Sequence, residues 1–450
     1  MKLPLDRTIS AWFDGYRKNE FVRRITQVLG YDILVKASGF VLIPVYLRLM
    51  TQDEYGSFNF IVSIVQMLGL LLTLGLCIPL SKLYHTLDTT EQKGAMLFTI
   101  VATLVVFIFL VVFPVFALNI DFWITKKLFK NDFSYNRYRY ILLIAVLVTI
   151  FGLVLIYYLF ASEQIGKIKS YNKLRILFTG VTIGALVIFN KDAVKTRLIF
   201  TYGSELLLII VFGYYFVREL VFRFNWKILW KCLLIGLPIM FTTLCGIIVN
   251  FSDKFFLEKY GVLKDLSTYY LAFSFASVIP LISASLQNVW MPEFMKERDM
   301  QRNSHKTKKL ITRLVAGFIV LATAIWVMFF VLIRMAIIPA KYSDGMYVLP
   351  LLLMSQIFMA VTVILNNYLI YFEKTHLLLA CGIVVSLASV GLSVLLIPKW
   401  SIYGAAYTSL ISNILYLALC SMLVKIYKRR YLGSQQKGEY GVVEAGIILE

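Results

Sequence analysis

Apolar runs about as long as a bilayer is thick recur along this chain, and they limit its fold more than any other feature. They fall near 28–49, 57–80, 95–118, 141–160, 175–190, 198–217, 230–250, 267–290, 313–334, 346–371, 376–397 and 403–424. About 20 helical residues, at a rise near 1.5 Å each, cross the hydrocarbon core. Backbone N–H and C=O groups find no water there, so each run must satisfy them internally as a helix. The connectors are too short to hold a soluble domain. Composition agrees: 60% of residues are hydrophobic and 16% charged, with a mean hydropathy of +0.78. Soluble domains carry about one quarter charged residues. The expected fold class is an all-α polytopic membrane protein with about 12 transmembrane helices.

The formal charge of +20 comes from 45 Lys and Arg against 25 Asp and Glu. These charges lie in short connectors between apolar runs, so anionic lipids and membrane orientation account for them, and a nucleic-acid partner is not expected. With both termini in the cytoplasm, 29 of the 45 basic residues fall inside, 15 outside, and Lys36 within the first span. That bias predicts cytoplasmic termini. The loop "DFWITKKLFKNDFSYNRYRY" resists it by placing five basic residues outside. Its aromatic content predicts a helix lying on the outer leaflet. Residues 1–24 hold Arg7, Arg17, Lys18, Arg23 and Arg24 among aromatic residues, without the apolar stretch of a cleaved signal. They read as an interfacial amphipathic helix.

Chemistry-bearing motifs are sparse. There is no G-x-x-x-x-G-K-[ST] phosphate loop, no G-x-S-x-G elbow and no H-E-x-x-H. The doublet in "QDEYG", Gln52 to Gly56, is a weak catalytic signal. The five cysteines lie in or beside apolar runs without metal or redox spacing, so they read as packing residues. No enzyme activity, metal or cofactor is expected.

Charges within the apolar runs are the candidate functional residues, because they are costly there and commonly line transport paths. Asp32 and Lys36 stand one helical turn apart in the first span, with Arg48 at its end. They read either as a self-neutralised structural pair or as cavity-lining charges. Pro44 can break this helix between Lys36 and Arg48. Glu205 in the sixth run reads as a proton or cation site, or as an interfacial acid capped by Ser204. Asp253 and Lys254 follow the seventh run. Gly180 and Gly184 form a G-x-x-x-G pair suited to helix packing.

Motif order then points to a family. "PVYLRLMTQDEYGSFNF" follows the first span, and Pro238 precedes "NFSDKFFLEKYGVLKDLSTYYLAFSFA" around the seventh. "LQNVWMPEFMKER" follows the eighth, and "IPKWSIYGAAYTSLIS" leads into the twelfth. In this order the chain resembles the O-antigen and polysaccharide flippases of the multidrug/oligosaccharidyl-lipid/polysaccharide (MOP) exporter superfamily. Members often have arginine after the aspartate of the seventh-span motif. Here it is Lys254, which keeps the charge and loses the bidentate fork.

The resemblance implies two pseudo-symmetric six-helix lobes around a cationic central cavity. It implies an inner-membrane flippase carrying an undecaprenyl-diphosphate-linked oligosaccharide from the cytoplasmic to the periplasmic leaflet by alternating access. The expected division is a basic segment at 1–24, an N-lobe at 25–218, a C-lobe at 219–425 and a cytoplasmic tail at 426–450. Lys36, Arg48 and Lys254 would bind the diphosphate, with Asp32, Glu205 and Asp253 as charge partners or coupling groups. A proton or sodium gradient would drive turnover. Expected partners are the lipid-linked oligosaccharide, anionic lipids and polysaccharide assembly enzymes. Two alternatives stand beside it: a membrane glycosyltransferase or polymerase, and a small-molecule exporter of the same superfamily.

Overall fold

A computed structural model describes residue 39 and residues 41–436, apart from 85, 130–134, 298 and 373. Segment 1–24, Asp32, Lys36 and the end of the tail lie outside the described residues. Among the described residues there are helices and no strands. Ten helices are long and apolar enough to cross a membrane. The last of them joins two predicted spans, and the first predicted span lies mostly outside the described residues. The protein is therefore a multi-pass membrane protein.

The chain forms two compact units, 1–127 with 132–240, and 128–131 with 241–450. The first unit contains α1 (Ile43–Leu49), α2 (Gln52–Leu72), α3 (Cys77–Tyr84), α4 (Thr90–Ala117), α5 (Ile120–Leu128), α6 (Tyr135–Ala161), α7 (Ile165–Ile188) and α8 (Ala193–Arg218). Helix α9 (Trp226–Tyr260) crosses the unit boundary just after Pro238. The second unit continues with α10 (Leu263–Ala276), α11 (Val278–Lys296), α12 (Met300–Arg334), α13 (Gly345–Tyr371) and α14 (Thr375–Gln436).

Local chemistry sets several helix ends. Pro44 occupies the first turn of α1, where its missing N–H costs no helical bond. Thr51 and Glu54 form a capping box at the start of α2. The Thr51 hydroxyl accepts the Glu54 N–H at 3.3 Å, and the Glu54 carboxylate accepts the Thr51 N–H at 2.8 Å. The acidic doublet is thus a helix start. The predicted second run breaks where Leu74 and Gly75 take positive φ, at 51° and 67°. A Cβ on Gly75 would stand 2.3 Å from the Gly236 carbonyl oxygen, so only glycine permits that approach. Helix α14 has a non-helical joint at Ser401, three residues after Pro398. The Ser401 hydroxyl donates to Asp265 at 2.5 Å and ties the joint to α10.

In the first unit, α6 packs against α2, α3 and α8, and α8 packs on α7. In the second, α13 lies against α10, α11, α12 and α14. Lipid-facing helices gain little from apolar burial against each other, so polar clasps add specificity. Gln287 and Asn367 exchange bonds of 2.7 and 3.2 Å, and Ser355 meets Ser409 at 2.9 Å and Asn413 at 2.7 Å. All five cysteines are buried, as their packing role predicts. Gly180 and Gly184 face open space, so the G-x-x-x-G pair is not a packing seam among the described residues.

Candidate functional site

The seventh span runs past its predicted end. Helix α9 continues to Tyr260, which places Asp253 and Lys254 inside a regular helix instead of a connector. Asp253 and Lys254 are 1% and 3% exposed. One turn separates Lys254 from Asn250, so its ammonium reaches back to the Asn250 carbonyl at 2.6 Å. It also meets Asp253 Oδ1 at 3.2 Å, which accepts the Lys254 backbone N–H at 2.8 Å as well. The other carboxylate oxygen, Oδ2, accepts the Tyr269 hydroxyl from α10. The Phe273 ring covers the ammonium at 3.7 Å, with Tyr269 at 5.5 Å. A buried charge needs a partner and satisfied donors. This lysine has one carboxylate, one carbonyl and one aromatic face. Ser252, on the same helix, bonds Ser389 at 2.8 Å and fastens this stretch to α14.

The first unit encloses a different cation. Arg197, the fifth residue of α8, lies with its guanidinium 3.7 Å from the Tyr46 ring, 3.8 Å from Phe58 and 5.8 Å from Tyr55. All three rings are buried. Tyr55 and Phe58 stand three residues apart on α2, hence on one face. Tyr46 comes from α1, and Met50 sulfur accepts from the guanidinium at 3.4 Å. Arg197 makes no ion pair among the described residues. Residue counting places it in an outer connector, and only the folded chain brings the aromatic box around it. The readable signal was the Tyr-x-x-Phe spacing after a span, with an arginine opening a later one.

The remaining sequence candidates separate. Arg48 is exposed near the end of α1. Glu205 lies two turns beyond Arg197 on α8. It pairs with Arg175 Nε at 2.6 Å and accepts the Tyr171 hydroxyl at 2.9 Å, both from α7. Ser204 spends its hydroxyl on the Thr201 carbonyl at 2.7 Å, so the expected serine cap on Glu205 is absent. Among the described residues, no three His, Cys, Asp or Glu converge as a metal site.

The first part of the loop that resisted the charge count forms α5, which buries no side chain. Asp121 is clamped there by Arg139, with bonds of 2.7 and 3.0 Å, and by Tyr135 at 2.5 Å. Burial pushes the Asp121 carboxyl up, but the Arg139 and Tyr135 bonds and the arginine charge together hold it below its usual 3.8.

Charged side chains enclosed within apolar helices commonly mark transport paths. The comparisons with known proteins agree. Residues 22–298 match the model of the polysaccharide biosynthesis protein family, and the chain belongs to that family. A search among curated proteins by sequence found no match. By structure, the chain is similar to a lipid II flippase, MurJ, in an inward closed conformation. That TM-score is 0.71 at 13% identity, covering 93% of this chain and 92% of the other. It is also similar to an inward-facing multidrug resistance MATE family transporter of the MOP superfamily. There the TM-score is 0.66 at 14% identity, covering 88% and 99%. A MATE protein in the straight conformation matches with a TM-score of 0.59 at 12% identity, covering 90% and 95%. These likenesses define the fold, an all-helical one shared with MOP-superfamily transporters.

Proposed function

We propose that this protein is a flippase that moves a polyprenyl-diphosphate-linked oligosaccharide across the inner membrane by alternating access, from the cytoplasmic to the periplasmic leaflet. The observation that carries this reading is the enclosed Lys254, held by Asp253 and Tyr269 inside a membrane-spanning helix of a polysaccharide-biosynthesis family chain. A diphosphate leaving water must exchange its hydration for cationic donors. In the empty protein Asp253 is the counterion of Lys254. An arriving diphosphate takes over that ammonium, while Tyr269 continues to satisfy Asp253. Lys36 and Arg48 supply further positive charge. Asp32 and Glu205 serve as charge partners. The protein performs no bond-making chemistry, and a proton or sodium gradient drives the cycle. Both termini lie in the cytoplasm. Its partners are the lipid-linked oligosaccharide, anionic lipids and the enzymes that assemble the repeat unit.

The test is reconstitution in liposomes with a fluorescent diphosphate-linked oligosaccharide lipid and quenching of the outer leaflet. Protein-dependent flipping is expected, with at least a tenfold loss in Lys254→Ala and Lys36→Ala. A mutational loss of about 1.4 kcal/mol of binding corresponds to that factor. Flipping at the normal rate in both variants overturns the charge roles. A second reading, export of a soluble organic molecule, is favoured by the likeness to a multidrug transporter over 88% of this chain. Gradient-driven efflux of organic cations without lipid flipping would select it.

A further inference from the structure

A second basic feature lies away from Lys254, in the second unit. Helices α12, α13 and α14 enclose a groove of about 330 Å³. Its α12 wall presents Ser304, Lys308 and Ile311, and its α14 wall presents Val424, Lys425 and Lys428. Ser304, Lys308 and Ile311 follow the three- and four-residue spacing of one helix face, and Lys428 stands four residues after Val424 and three after Lys425. Lys308 comes just before the apolar part of α12, and Lys425 just after that of α14. The groove therefore sits where apolar helix surface gives way to polar surface. Leu365 and Tyr368 of α13 form its floor. Tyr368 and Val424 belong to a packed cluster with Phe294, Met300 and Leu369, so that floor is part of the core.

Among the described residues no acid compensates the charge in this groove. Lys308, Lys425 and Lys428 make no ion pair among the described residues. Glu297, the acid nearby in sequence, is engaged by Lys306 at 2.6 Å and Arg302 at 3.7 Å. Lys428 is oriented by its bond to the Ser304 hydroxyl. Three ammonium groups above an apolar, packed floor suit a ligand that is anionic at one end and apolar at the other.

We propose that this groove is a binding site for the phosphodiester headgroup of an anionic membrane phospholipid. The lysines meet the phosphate, and Ile311, Leu365 and Val424 meet the first carbons of the glycerol and acyl chains. A soluble phosphate would use the lysines and leave the apolar wall unmatched. This inference takes up the anionic-lipid partner of the reading above and gives it a place. It does not depend on which cargo the protein moves.

The experiment is native mass spectrometry of the full chain in detergent, titrated with phosphatidylglycerol and, separately, phosphatidylcholine. Wild type is expected to retain phosphatidylglycerol preferentially. The Lys308→Gln/Lys425→Gln/Lys428→Gln variant is expected to lose roughly tenfold or more of that affinity, since each basic residue near an anionic surface adds to the attraction. Replacement of the same three lysines by arginine should keep it. A control variant, Lys191→Gln/Lys195→Gln, lowers the charge elsewhere and should bind as wild type. Unchanged melting temperatures confirm that the variants are folded. No preference for phosphatidylglycerol in wild type overturns the anionic-lipid partner itself. A preference that survives the triple glutamine variant overturns only this site. Displacement of the lipid by inorganic phosphate at equal concentration assigns the groove to a soluble anion and overturns the lipid.

Discussion

Arg197 and Lys254 are both cations enclosed among helices, and the two units hold them by different physics. Lys254 has a carboxylate beside it, a carbonyl one turn back and a ring over it. Arg197 has two close rings, a more distant one and a sulfur. The difference follows from hydration. An ammonium is compact and strongly hydrated, so burying it requires an opposite charge. A guanidinium is planar and weakly hydrated, so aromatic faces suffice. Removing a partner should therefore damage the lysine site more than the arginine site.

The largest effect is expected for Asp253→Ala, which leaves a buried ammonium without its counterion. About 3–5 kcal/mol of stability should be lost, read as the melting temperature in detergent. The double variant Asp253→Leu/Lys254→Met should recover most of it, because neither charge remains. A double variant as unstable as the single one would refute the ion-pair account. Tyr269→Phe should cost about 1.5–3 kcal/mol, the range for a bond to a charged group. Arg197→Leu should cost about 1–2 kcal/mol through lost cation–π contact. Arg197→Lys should restore only part of it, since an ammonium cannot stack flat between Tyr46 and Phe58. A loss in Arg197→Leu as large as that in Asp253→Ala would erase the contrast.

The smallest effects lie outside the spans, where two clamped acids titrate below their usual values. Glu297 is held down first by the Lys306 bond, then by the charges of Lys306 and Arg302. Both folded-state values are depressed, so each contribution is present above the ordinary 3.8 for Asp121 and 4.5 for Glu297. Each is lost as pH falls through the lower folded value. A single-tryptophan variant that keeps Trp123, which sits 4.9 Å from the Lys127 ammonium, should report loosening of α5 in fluorescence as the pH falls below the ordinary 3.8 of Asp121. Arg139→Gln should move that transition upward in pH. A pH-independent signal would remove Asp121 as the clamp.

Much of the fold was legible because hydrophobic length is a local property. A run such as 141–160 has one solution in a bilayer, and α6 spans it. Helix starts were legible too: Thr51 with Glu54 spells a capping box, although a reader seeking catalytic acids passes over it. Charged residues at span ends were harder. Counting placed Lys254 and Arg197 in connectors, because hydropathy averages fall at the first polar residue while the backbone helix continues. Polar side chains whose hydrogen bonds are met within the helix or by a neighbouring one do not end it: Asn250 donates to the Gly246 carbonyl one turn back, Ser252 bonds Ser389, and Asp253 accepts from Tyr269.

What the amino-acid order determined by itself is the number and placement of apolar helices, their caps, the glycine at position 75, and the surplus of basic residues in connectors. Each depends on neighbours within one or two turns. Partners distant in sequence were decided only by the tertiary structure. Tyr269 finds Asp253 from the next helix, and Tyr46 finds Arg197 from 151 positions earlier. Arg175 finds Glu205, and Lys308 shares a groove with Lys425 and Lys428. The physical reason is that the cost of burying a charge depends on everything within a few ångströms of it, and helix packing chooses those neighbours.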